Sequence, residues 1–111
     1  MEVIWSKIAI EQLDIIAEYV ETNYGVNTAK KLVRNITGKV SRLLLYPSIG
    51  IPDYKFTTGA NKEIVIRHIQ IFPNVLYYVV ESDKIIIICI MHEKQSPETV
   101  SNMIMEFLRK H

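Results

Sequence analysis

Apolar positions follow two rhythms along this chain. In the first half they recur at steps of three and four, and in the second they alternate or run together. Ile8, Leu13, Ile16, Ala17 and Val20 have helical spacing, with Glu11, Gln12, Asp14 and Glu18 mostly between them. Ser6 is placed to cap this helix, and Asn23-Tyr24-Gly25 to end it. Asn27 is the expected cap of a second helix, whose stripe is Ala29, Leu32, Val33, Ile36, Val40, Leu43 and Leu44. Lys30, Lys31, Arg34, Lys39 and Arg42 lie off that stripe. Gly38 sits inside it at a cost of about 1 kcal/mol against Ala, which a close approach of the first helix would explain. Pro47 stops the helix. So short a junction predicts an antiparallel helical hairpin.

The second half reads as strands Glu63–Ile71, Asn74–Val80 and Lys84–Met91. Ile85 to Met91 is apolar without a break, as in a central strand covered on both faces. Ile64 and Ile66 are out of phase with Ile69 and Ile71, which predicts a bulge at Arg67-His68. Phe72-Pro73-Asn74 and Glu81-Ser82-Asp83-Lys84 are the turns, Glu2–Trp5 a short leading strand, and Tyr46 to Asn61 a loop. A last helix, from about 97 to 110, carries the stripe Val100, Met103, Ile104, Phe107 and Leu108. This stripe must bury against the body, a second copy or a partner, so its five residues are candidate partner contacts. The order β-αα-βββ-α predicts an α+β fold over 1–111 as one domain. In it a helical hairpin packs on one face of a mainly antiparallel four-stranded sheet, with a C-terminal helix.

Composition changes this picture little. Net charge is +1, so the overall field selects no class of partner. The lone Cys89 has no disulfide partner within the chain and suits a reducing compartment. The N-terminal residues lack a signal-peptide pattern, and no apolar run reaches membrane-span length, so a cytoplasmic location without membrane contact is expected. His68, His92 and His111 are scattered, and there is no Gly-rich phosphate loop, so neither metal nor cofactor is expected.

The remaining chemistry is basic and aromatic. Metal-free RNA cleavage needs a proton acceptor and donor plus cations on the phosphate, roles open to His92 and Arg67 if the fold joins them. Lys55, Lys62 and Lys94 are candidate phosphate contacts, and Tyr78 a candidate base-stacking ring. The commoner alternative is a half-exposed sheet face that carries a few solvated cations.

Val3-Ile4-Trp5-Ser6, the hairpin, Leu43 to Gly50, Ile71-Phe72-Pro73-Asn74-Val75-Leu76-Tyr77-Tyr78 and Ile90-Met91-His92-Glu93-Lys94-Gln95-Ser96-Pro97 together resemble the RelE/ParE toxin superfamily. They look most like its ParE, or plasmid-stabilisation, branch, and the likeness runs from Val3 to about Glu98. The resemblance implies a toxin of a type II toxin–antitoxin pair, wrapped by a cognate antitoxin that alone links it to operator DNA. RelE-like members cut ribosome-bound mRNA, and ParE-like members inhibit DNA gyrase. Where relatives often show Arg-Asp-Pro, this chain has Gln95-Ser96-Pro97, which removes a cation a nuclease would use. Three readings stand: a gyrase inhibitor, a ribosome-dependent endoribonuclease, and a non-toxic member that only binds its antitoxin. The resemblance also leaves a homodimer open.

Overall fold

The computed structural model describes residues 1–56 and 64–110. Its elements are β1 (Glu2–Trp5), α1 (Lys7–Tyr24), α2 (Val26–Leu45), β2 (Ile51–Pro52), a 3₁₀ turn (Tyr54–Phe56), β3 (Ile66–Ile71), β4 (Asn74–Glu81), β5 (Lys84–His92) and α3 (Pro97–Lys110). Among the described residues the sheet has five strands in the order β1-β5-β4-β3-β2. β1 runs parallel to β5, and the other pairs are antiparallel. The fifth strand, β2, comes from the stretch expected to be loop. It is two residues long and contains Pro52, which fits an edge strand.

The hairpin covers one face of the sheet. Ala9, Ile36, Val40 and Leu43 pack there on Ile71, Leu76, Tyr78, Ile85, Ile87 and Ile90. The other face is also covered, as the unbroken apolar run of β5 predicts. There Val100 and Ile104 of α3 pack with Phe56 against Ile66, Tyr77, Val79, Ile86 and Met91. Two-sided burial explains why β5 reads as an unbroken apolar run.

It also explains the phase slip in β3. Ile66 faces α3, whereas Ile69 and Ile71 face the hairpin. Pairing with β4 is regular through Arg67↔Tyr78 and His68↔Tyr77, so the bulge expected at Arg67-His68 is not there. The irregularity lies on β5, where Tyr77 pairs with Cys89 but Tyr78 pairs with Ile87. Ile88 is the extra residue, and it lets Ile88 and Cys89 face the same side.

The start of α1 stabilises this bulge. Ser6 Oγ accepts the Ala9 N–H at 3.0 Å, as expected of its N-cap, and donates to the Ile88 carbonyl at 2.7 Å. Gln12 Oε1 accepts the Ile90 N–H at 2.8 Å. β1 stops pairing at Ile87, so α1 side chains take over backbone groups that β1 no longer reaches.

Gly25 alone joins the two helices, closing α1 and capping α2, so Asn27 lies inside α2 rather than at its cap. Its φ of 94° and ψ of 165° belong to a region that is essentially glycine-only. Gly25→Ala is therefore expected to cost about 1–3 kcal/mol, read as a lower urea midpoint at unchanged slope. Gly38 has no such reason. A Cβ there would meet nothing within 4 Å, so no approach by α1 accounts for it.

Cys89 is buried, and burial pushes its thiol up to about 12, so it is an inert core thiol near neutral pH. Among the described residues no helix is long and apolar enough to cross a membrane.

Candidate functional site

Two regions bring the candidate residues into view. The first is the segment that leads from α2 to the edge strand β2 and is fixed by β3 and β4. The Tyr78 hydroxyl donates to the Pro47 carbonyl at 2.7 Å and accepts the Gly50 N–H at 2.9 Å. Arg67 Nη1 donates to the Gly50 carbonyl at 2.9 Å and to that of Ser48 at 3.3 Å. Gly50 is required by this packing, since an added Cβ would lie 2.6 Å from the Tyr78 oxygen and 2.9 Å from the His68 carbonyl.

These contacts correct two expectations. Tyr78 is 0% exposed, so its ring is core rather than a surface for base stacking, with its hydroxyl spent on the loop. Burial raises its pKa, opposed by the Gly50 N–H and the Arg67 charge, so it stays protonated at neutral pH. Tyr77 is also buried, edge-on to Phe56 at 5.9 Å, with its hydroxyl pushed up to about 12 chiefly by burial. Adjacent tyrosines do point to opposite faces, but both faces are covered. Arg67 is a loop clamp, its guanidinium engaged by backbone carbonyls.

The second region is the C-terminal end of β5. His92 is exposed there, and its Nδ1 accepts the Lys94 N–H at 3.1 Å, which leaves Nε2 to carry the neutral ring's proton. His92 borders a pocket of about 150 Å³ with Tyr77, Met91, Gln95, Pro97 and Val100. Lys94 is exposed in the following turn.

The fold does not join His92 to Arg67. His92 pairs with Asn74 at the start of β4 and Arg67 with Tyr78 four residues further along it, on the two sides of that strand. That places their backbones about 13 Å apart along the strands and about 10 Å apart across them. Lys62 and the side chain of Lys55 lie outside the described residues. On α3, Val100 and Ile104 are buried and Met103, Phe107 and Leu108 partly so, all against the chain's own sheet. Val100 and Ile104 of the candidate partner stripe are thus core, sealing the sheet face that the hairpin leaves open, while Met103, Phe107 and Leu108 lie at its margin.

Two features escaped the sequence pattern. Asp53 Oδ2 meets His68 Nδ1 at 3.1 Å, a pair formed because β2 and β3 are in register at Ile51↔His68. The other is an apolar rim along the clamped segment. Leu45 is 74% exposed, Ile51 62% and Tyr54 71%, with Tyr46 and Ile49 also exposed between them. Leu45, Tyr46, Pro47, Ser48 and Ile49 line one shallow depression. Five large aliphatic and aromatic residues in a stretch rich in Pro and Gly were the available signal. Exposed aliphatic and aromatic side chains held on a rigid frame suit protein contact. Among the described residues no cluster of His, Cys, Asp or Glu is arranged to hold a metal ion.

Residues 3–97 match the family model for the ParE toxin of the type II toxin–antitoxin system parDE. A solved structure of the chromosomal ParDE toxin–antitoxin system from P. aeruginosa is similar in fold, with a TM-score of 0.63 at 21% identity, covering 83% of this chain and 95% of that one. No curated protein matches the sequence.

Proposed function

Because this chain belongs to the ParE toxin family of type II toxin–antitoxin systems, we propose that it acts in the cytoplasm by binding and inhibiting DNA gyrase, and that a cognate antitoxin neutralises it. The toxin role comes with the family; the target and the neutralisation are this reading's own. One observation carries the choice of a binding mode. Arg67 and His92 stand far apart, and the guanidinium holds backbone carbonyls, while an apolar rim at Leu45–Tyr54 is presented on a clamped loop. A protein-binding poison needs such a surface and no acid/base pair.

The RNase reading makes His92 its proton-transfer group, so His92→Ala separates the two. Its ring is exposed and, among the described residues, holds only the Lys94 N–H, so the substitution leaves the core intact. When the variant is induced alone in a bacterial host, growth arrest is expected at the wild-type inducer level. Loss of arrest by a variant that still folds and still binds antitoxin would move the assignment to mRNA cleavage.

A further inference from the structure

The two helices of the hairpin carry opposite charge on the surface that faces away from the sheet. α1 has Glu11, Asp14, Glu18 and Glu21 against one cation, Lys7. α2 has Lys30, Lys31, Arg34, Lys39 and Arg42 and no acidic residue. The buried positions Ala29, Ile36, Val40 and Leu43 fix the outer stripe of α2 as Lys31, Arg34, Gly38 and Arg42, ending at the exposed Leu45. On α1, Glu11, Asp14, Glu18 and Glu21 recur at the same helical steps, and all four are exposed.

Attraction between the helices of one hairpin is not what uses these charges. Among the described residues, none of the four acidic side chains of α1, nor those of Lys30, Lys31, Arg34 or Arg42, makes an ion pair or a hydrogen bond. Gly38 adds an independent observation. It is exposed at the middle of the basic stripe, with open space where a Cβ would be. A solvent-facing glycine inside a helix costs about 1 kcal/mol and gains nothing in the isolated chain. What it provides is room for another helix to come close.

We propose that the outer face of the hairpin is the contact between two copies of this chain, paired about a twofold axis that runs parallel to the helices. That axis lays α1 of each copy over α2 of the other, so acid meets base twice. A twofold perpendicular to the helices would lay like on like. A nucleic acid or a uniformly acidic partner fits less well. Packed helices lie about 8–10 Å apart, within about one Debye length, so the acids of α1 would repel any polyanion on α2. Only a partner that presents both signs side by side satisfies both stripes. Two helices of 18 and 20 residues span about 30 Å by about 20 Å, which approaches the area each partner buries in a standard interface. The dimer is therefore modest in affinity and sensitive to salt.

Sedimentation of the purified chain tests this. A dimer is expected at low salt (about 50 mM), giving way to monomer as ionic strength rises toward 1 M. Arg34→Glu and Glu18→Arg should each weaken dimerisation about tenfold or more, and an equimolar mixture of the two variants should recover it, since the mixed pair restores both contacts. Gly38→Trp should leave the fold intact, raise thermal stability through better helix propensity, and abolish the dimer. A monomer at every concentration, a dimer that neither salt nor any of these changes weakens, or a mixture that stays monomeric would overturn the proposal. Binding of poly-glutamate by a monomeric chain would also overturn it and assign the face to an acidic partner.

Discussion

Gly50→Ala is expected to lower stability by about 3 kcal/mol, combining overpacking with disrupted buried hydrogen bonds. The new methyl would sit 2.6 Å from the Tyr78 oxygen, 2.7 Å from its ring and 2.9 Å from the His68 carbonyl. The last of these is backbone within the sheet and cannot swing aside. The loop must lift instead, which separates the Tyr78 hydroxyl from Pro47 and Gly50 and draws Arg67 off its carbonyls. Tyr78→Phe isolates the hydrogen-bond part, leaving a buried N–H short of a partner at a cost of about 1–2 kcal/mol. The two changes share a site, so the double variant should cost less than their sum. Urea unfolding of the four proteins reads both the cost and the coupling. A Gly50→Ala loss below about 0.5 kcal/mol would mean that the loop is not clamped as described. The same variant should weaken toxicity, because the rim from Leu45 to Tyr54 rides on that clamp.

Ile104→Ala should cost a similar or larger amount, about 2–5 kcal/mol, as for large-to-small changes at fully buried sites. Ile104 is 0% exposed and packs in the second core with Val100, Phe56 and Met91. Charge there is worse, and Ile104→Asp is expected to undock α3 and leave the apolar face of the sheet in water. The check is thermal unfolding together with dye binding to exposed apolar surface. A loss under about 1 kcal/mol would show that α3 is not seated in the free chain and would return its stripe to the list of partner contacts.

These positions show what the sequence discloses and where it stops. Seven apolar residues from Ile85 to Met91 suit only a strand covered on both sides, so the centre of the sheet is legible. What covers the second face is not, because the stripe of α3 fits core, copy or partner equally well until packing decides. The break between Ile66 and Ile69 has the same ambiguity, since a bulge and two-sided burial leave one pattern. Ile51-Pro52 is too short and too proline-bound to signal a strand; pairing to β3 makes it one. At the candidate site, residue types were readable and distances were not. Arg67 and His92 are plausible nuclease side chains in any list, and strand register alone sets them apart. The cap at Ser6 was legible because its signal is local, whereas its second bond, to Ile88, spans nearly the whole chain.

Supercoiling of relaxed plasmid by purified gyrase tests the proposed inhibition of gyrase most directly. With increasing amounts of the purified chain, the account predicts loss of supercoiled product, unchanged by His92→Ala. Full supercoiling at every amount of folded chain, alongside cleavage of message on the ribosome, would contradict it.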